Sequence, residues 1–385
     1  MMSRRIIFAL MFSMLIITTS MGIANPIVPL YAKKLGATYT DLGLIGIAWS
    51  APYCIFPVLA GMWSNKVGRL RLFLVGILMS TIVPLLLLAS SSPLHIALLR
   101  LFHGIGLSFL WAPGEALISD VTRKEERARF LGFFSASWAA GYFLGPLLGA
   151  LIVEQAGYEG VFWLSFLVGV TSPFTLLLAG GDVKPRYVVK RGISQLVRKA
   201  VVEGLPLYVV AITSSMVIAI IYSIYPAYLS KLTFSDAEIS TMMSIIAATR
   251  ALGFWSISLP SRLKEREVII IGLSSQVIAS FLVAYSQDYV LVALSMAIMG
   301  YAIGLQMPPV TSATSRILEG EVGLPIGIME AMFGVGWVIG PGVGGILADL
   351  ASWDLAPYLF MSFVSLASLL YFVIARSTWN IEKSP

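Results

Sequence analysis

The 385-residue chain is 58% apolar and only 12% charged, with a formal net charge of +6. A soluble domain carries about 25% charged residues, so a chain this poor in charge cannot cover itself with polar surface, and its solvent is a bilayer. One cysteine, Cys54, and two histidines exclude an internal disulfide and offer little to a metal.

Apolar stretches of about 20 residues mark membrane spans. Twelve are predicted, near 6–31, 40–62, 71–90, 94–118, 129–153, 158–180, 204–229, 236–258, 268–286, 288–314, 323–347 and 354–376. Transmembrane strands are about half that length and alternate in polarity, which excludes a barrel. The predicted fold is therefore an all-α membrane protein of twelve transmembrane helices. Met1 to Leu30 opens like a signal peptide, with Arg4 and Arg5 before an apolar run. No small-x-small cleavage site closes that run, and an uncleaved first helix is expected.

Between the second and third spans lies Gly61 to Arg71, GMWSNKVGRLR. Lys66, Arg69 and Arg71 do not belong in hydrocarbon, and Gly61 and Gly68 permit a tight reversal, so an aqueous turn is expected here. The longest polar stretch, Gly181 to Gly204, holds six basic residues. It reads as a cytoplasmic linker, 181–203, between a first set of six helices, 1–180, and a second, 204–385.

With the N-terminus in the cytoplasm, 21 of the 26 Lys and Arg fall on the inner side. They include Arg4, Arg5, Arg123, Lys124, Arg127, Lys184, Arg186, Lys190, Arg191, Arg262, Arg316, Arg376 and Lys383. Three fall outside: Lys33, Lys34 and Lys231. Positive residues stay in the cytoplasm, so both termini are expected there.

The halves repeat. Pro29-Leu-Tyr31 returns as Pro226-Ala-Tyr228, a shift of 197 that also carries Arg69 onto Arg266. Pro113 returns as Pro308, Gly132 as Gly327, and Gly145-Pro146 as Gly340-Pro341, each shifted by 195. Two six-helix bundles related by an axis along the membrane normal follow from such a repeat, with a cavity near the midplane.

The run Gly61-x-x-Ser-Asn65-Lys-x-Gly68-Arg69-x-Arg resembles the loop between helices 2 and 3 of the major facilitator superfamily, although the family usually carries Asp where this chain has Asn65. Arg100-Leu-Phe-His103-Gly104, followed by Asp120 and Glu126-Arg127, resembles the arginine-glycine motif of its helix 4. Gly141-Tyr-Phe-Leu-Gly145-Pro146-Leu-Leu-Gly149 resembles the glycine-proline motif frequent in the drug/proton antiporter branch, and helix 11 repeats it as Gly340-Pro341-Gly342-Val-Gly344. The resemblance implies a secondary transporter working by alternating access. It also implies that the 61–71 loop braces the cytoplasmic side. Gly141, Gly145 and Gly149 share one helix face, where small residues allow close helix approach. Whether they hinge the protein or simply pack stays open.

Charged residues inside spans are functional candidates. At 100° per residue, Arg100, Gly104, Ser108, Trp111 and Glu115 form one stripe, with Arg100 and Glu115 about 22 Å apart along it. His103 is placed on a different face. Arg250 and Glu330 lie at similar depth, about 10–12 Å from their cytoplasmic helix ends, so an ion pair between them is expected. It reads either as a proton-coupling site or as a fixed structural pair. In the implied fold, helices 1, 4, 7 and 10 line the cavity. Asn25, Trp111, Tyr222 and Gln306 are therefore the expected lining residues, with Trp337 on helix 11. Many proton-coupled drug exporters have an acid in helix 1; this chain has none.

The reading is proton-coupled efflux of a small amphipathic or lipophilic molecule by a monomer in the cell membrane. The alternative is uptake or facilitated diffusion of a sugar, organic acid or other metabolite. No nucleophile-base-acid set, phosphate loop or metal spacing points to an enzyme or a cofactor. A receptor or scaffold on the same fold is the competing class. Protons and the lipid bilayer are the expected partners besides the cargo, and no nucleic-acid-binding pattern is present.

Overall fold

A computed structural model describes residues 2–179, 194–257, 263–318, 323–350 and 354–375. Several basic residues of the sequence reading lie outside them: Lys184, Arg186, Lys190, Arg191, Arg262, Arg376 and Lys383. The same holds for the greater part of the 181–203 linker and for the side chains of Asn65, Lys124 and Arg127. Among the described residues all regular structure is helical. That is the expected outcome where no water competes for backbone N–H and C=O groups.

In chain order the helices are α1 (Met2–Ala24), α2 (Ile27–Lys34), α3 (Tyr39–Val67), α4 (Arg69–Leu88), α5 (Pro93–Val121) and α6 (Lys124–Thr175). Then come α7 (Ser194–Ser223), α8 (Tyr225–Lys231), α9 (Asp236–Ser256), α10 (Glu265–Tyr285), α11 (Tyr289–Ser315), α12 (Gly323–Leu350) and α13 (Ala356–Ile374). Nine stretches among the described residues are long and apolar enough to cross a membrane. One of them, Arg129–Thr175, has 47 residues, or about 70 Å of helix, more than twice a hydrocarbon core. Gly157 divides α6 into two arms, with φ 61° and ψ −165°. Two further helices, α3 and α9, have 29 and 21 residues and stand outside those nine.

The turn after α3 is tighter than the sequence suggested. Helix α3 continues through Gly61 to Val67, and α4 begins at Arg69. Only Gly68, at φ 108° and ψ 138°, leaves helical geometry. The backbone reverses at the one residue with no Cβ to resist positive φ, and the polar residues before it occupy the last turns of α3. Gly61 is an ordinary helical residue, with open space where a Cβ would project. The outer end of the first helix is broken as well. The break falls at Asn25 and Pro26, one turn before Pro29. A proline ring displaces the carbonyl four residues earlier, and that carbonyl belongs to Asn25.

Contacts divide the chain into two compact units: Met1–Val189 with Tyr225–Ser244, and Lys190–Ile224 with Ile245–Pro385. In the first, α1 is the central element. A core of Ile6, Leu10, Met14 and Ile17 packs against Phe73, Leu110 and Phe134. Along the second arm of α6, Ser172 Oγ donates to the Ser13 carbonyl at 3.0 Å, and Ser13 Oγ donates back to the Ser172 carbonyl at 3.4 Å. Seven residues on, Ser20 and Ser165 exchange the same two bonds at 2.7 Å each. Such hydroxyls hold two helices together where apolar burial distinguishes poorly between lipid and protein. At one end of this unit the Tyr158 hydroxyl hydrogen-bonds Asp236, and Lys34 Nζ lies 5.6 Å from the Tyr158 ring centre.

The glycine motif of α6 faces the α1 backbone. A Cβ at Gly145 would lie 2.5 Å from the Thr19 carbonyl oxygen, and one at Gly149 would lie 2.9 Å from that of Ile23. The second unit repeats the contact between α12 and α7. A Cβ at Gly340 would lie 2.5 Å from the Met216 carbonyl oxygen, and one at Gly344 would lie 2.8 Å from Ile224 Cδ1. At Gly145 and Gly340 the repeat seen in the sequence is thus a repeat of backbone-to-backbone approach, while Gly344 meets isoleucine side chains. Overfilling such a contact costs about 1–3 kcal/mol, and more where backbone must move. Gly145→Leu and Gly340→Leu should therefore each lose most of the monodisperse protein on size-exclusion chromatography. Gly132→Leu and Gly327→Leu, where a Cβ meets nothing within 4 Å, should match the unmodified chain. Equal behaviour of the two pairs would count against close packing as the role of the motif.

Candidate functional site

Two clusters of polar and aromatic side chains lie within the helices, one in each unit. In the second unit, α12 presents Glu330, Gly334, Trp337, Pro341 and Gly344 at helical spacing, with Pro341 inside the helix. Trp337 stacks on Tyr222 of α7, their ring centres 6.2 Å apart and the planes 20° from parallel. Arg250 of α9 is within electrostatic reach of both the Glu330 carboxylate and the Tyr222 hydroxyl, and its guanidinium lies 5.6 Å from the Phe254 ring. Glu330 is accessible to solvent, yet protein surrounds its carboxyl closely. Arg250 and Glu330, matched in depth by helix rise alone, are thus within electrostatic reach of each other.

In the first unit, Arg100 of α5 donates from Nη1 to Asn25 Oδ1 at 2.9 Å and lies 3.3 Å from His103 Nδ1. The expectation that His103 occupies another face is corrected here. Three residues along a helix differ by only about 60° in direction, and the long arginine side chain covers that gap. Trp111 packs 5.7 Å from Phe134 and 5.8 Å from Trp138, which stands 5.2 Å from Tyr142. Tyr142 Oη in turn donates to Met21 Sδ at 3.8 Å. This aromatic ladder runs from α5 along the first arm of α6, and the sequence reading passed over Trp138 and Tyr142. The 195 shift carries Tyr142 onto Trp337, a signal that was available. Glu115 is half-buried on α5 and is engaged by neighbours.

Gln306 was expected to line a cavity, and the structure corrects this. It is fully buried. Its Nε2 donates to Ser214 Oγ at 3.0 Å and to Gln276 Oε1 at 2.6 Å, while Gln276 Nε2 donates to Ser365 Oγ at 3.0 Å. Buried amides need partners, and two neighbouring helices supply those of the Gln306 Nε2, so Gln306 ties α11 to α7 and α10.

Where α4 meets α5, Arg69 Nε stands 2.7 Å from Asp120 Oδ2, the two side chains 8% and 2% exposed. In the second unit Arg316 bonds Glu265, and Ser312 Oγ donates to the same carboxylate at 2.8 Å. Each pair joins the first residue of one helix, α4 or α10, to the end of the next, α5 or α11, with the charges exchanged between the two units.

The family model that matches this chain is that of the Major Facilitator Superfamily, over residues 10–283 and 207–384. Among curated proteins, the chain is 24% identical over 382 residues to Multidrug resistance protein 2 of Bacillus subtilis strain 168, covering 95% of this chain and 94% of that one. It is 22% identical over 381 residues to Quinolone resistance protein NorA of Staphylococcus aureus strain COL, covering 96% of each. Among solved structures, a POT family transporter in complex with 5-aminolevulinic acid superimposes with a TM-score of 0.82 at 12% identity, covering 96% of this chain and 95% of the other. The nucleoside transporter NupG, studied as a mutant, gives 0.76 at 14% identity, covering 96% and 99%. At such identities the solved structures speak to the fold, and the family match covers nearly the whole length. The protein is helical and multi-pass in the cell membrane, and it belongs to the Major Facilitator Superfamily of transporters.

Proposed function

We propose that this chain is a secondary transporter that exports small amphipathic or lipophilic molecules in exchange for protons. Its two six-helix bundles, 1–180 and 204–385, rock about a central cargo site, with the 181–203 linker and both termini in the cytoplasm, and it acts as a monomer. The observation that carries this reading is the group formed by Glu330, Arg250, Tyr222 and Trp337. It combines an ionisable carboxylate, a guanidinium within electrostatic reach of it and an aromatic stack. The drug-resistance relatives support the cargo class. A proton on Glu330 would release Arg250 from its partner, and a cationic cargo would compete with Arg250 for the same carboxylate. Either event alters the charge balance between α9 and α12, which is the kind of local change that can bias two conformations.

Expression in a strain lacking its own drug exporters tests the reading. Cells carrying the chain should accumulate less ethidium and less of a fluoroquinolone than cells with an empty vector. A protonophore should raise both to the empty-vector level. Unchanged accumulation of every amphipathic compound, with increased entry of a sugar or organic acid, would favour the uptake alternative.

A further inference from the structure

The second unit balances its deep arginine with Glu330; the first unit does not balance Arg100. Arg100 and His103 are buried, 9% and 3% exposed. The groups around Arg100 are neutral: Asn25 Oδ1, His103 Nδ1, the Tyr142 hydroxyl and the Trp49 ring, whose centre is 5.1 Å from the guanidinium carbon. Among the described residues no carboxylate pairs with it. Glu115, on the same helix, is about 22 Å further along.

Nδ1 of His103 faces an arginine N–H, so it must accept, and the ring proton then sits on Nε2. His103 Nε2 and Arg100 Nε are both buried without a hydrogen-bond partner among the described residues. The site therefore presents a fixed positive charge and two unmatched N–H donors. Buried charge and buried donors are costly to leave unanswered, and what answers both is an anion with oxygen acceptors. A planar guanidinium suits a carboxylate best.

We infer that Arg100, His103 and Asn25 form a carboxylate subsite for the cargo. The inference rests on the transport reading and adds to it that cargos bearing a carboxylate are preferred over otherwise equal neutral ones. Asn25 positions the guanidinium, and Trp49 covers one of its faces. Asn25 sits at the break between α1 and α2, so the subsite lies where the first helix can bend.

Fluorescence titration of the purified full chain in detergent tests this with two probes, dansylglycine and dansylglycinamide, which differ only in carboxylate against carboxamide. The acid should bind at least tenfold more tightly than the amide. Arg100→Gln should remove that preference and leave amide affinity within twofold, which also reports that the variant is folded. Arg100→Lys, which keeps the charge but loses the fork, should retain part of the preference. Equal affinities in the unmodified chain, or a preference that survives Arg100→Gln, would overturn the subsite. Loss of the preference when gluconate is replaced by chloride at constant ionic strength would assign the site to an inorganic anion and overturn the cargo role. Failure to bind either probe, in a protein that still exports ethidium, would overturn the subsite and leave transport standing. Failure in both assays would count against both.

Discussion

Glu330→Gln is expected to lower pH-gradient-driven ethidium export at least tenfold and to flatten its dependence on pH. The amide keeps the shape and the hydrogen-bonding reach of the acid but has no proton to exchange near neutral pH. It also leaves the Arg250 guanidinium without the carboxylate now within its electrostatic reach. Glu330→Asp, which keeps the charge on a shorter stem, should retain a measurable fraction of export with a pH profile of the same shape. Arg250→Gln should be as damaging to export, because it leaves Glu330 enclosed by protein without a cation. The expected pattern separates coupling from packing. If Glu330 only joined α9 to α12, the Gln variant would lose protein yield and export in proportion. If it carries the proton, well-folded Gln protein should still bind dye and fail to move it against a gradient. Undiminished export with an unchanged pH profile would remove Glu330 from the mechanism.

The second large effect concerns stability. Asp120→Asn is expected to destabilise the chain by about 3–5 kcal/mol, because it leaves Arg69 buried without its countercharge. Both members of that pair are almost wholly buried. The corresponding pair in the second unit is different in kind. Arg316 and Glu265 are 46% and 37% exposed, where water and salt screen the attraction, and Glu265→Gln should cost under about 1 kcal/mol. Cys54, the single and half-buried thiol, provides the readout, since a thiol-reactive dye reports its exposure on heating. The melting transition of Asp120→Asn should fall well below that of Glu265→Gln. The exchange Arg69→Asp with Asp120→Arg should recover part of the loss, as the second unit already carries its charges in that order. Equal transitions for Asp120→Asn and Glu265→Gln would refute the buried pair as a stabilising brace.

Much of the fold was legible because a bilayer imposes simple rules. Long apolar stretches had to be helices, and the 195–197 shifts exposed the repeat that the glycine contacts of α6 and α12 now show in space. Depth was legible as well: helix rise placed Arg250 level with Glu330, and the two are within electrostatic reach of each other. Contacts made across helices were not. Gln306 looked like a cavity residue because the implied fold places helix 10 on the cavity and the 195 shift carries Trp111 onto Gln306. Its partners, Ser214 and Gln276, lie on α7 and α10, far away in sequence. Gln276 went unremarked for the same reason. His103 was misplaced because an ideal helical wheel ignores the reach of an arginine side chain. At Gly61 the error was to treat a basic, glycine-containing run as a loop. Helix α3 simply continues past the apolar stretch, and Gly68 alone makes the turn. Trp138 and Tyr142 were missed although both face the Trp111 ladder, since aromatic residues in a span are too common to stand out without a partner.

The most direct test of the account is ethidium movement into inside-out proteoliposomes containing only this chain, under an imposed pH gradient with the acidic side inside. Dye should accumulate while the gradient lasts, internal protons should leave in step with dye entry, and nigericin should abolish both. Dye entry that matches protein-free liposomes, or that proceeds equally with no gradient, would contradict proton-driven export by this chain.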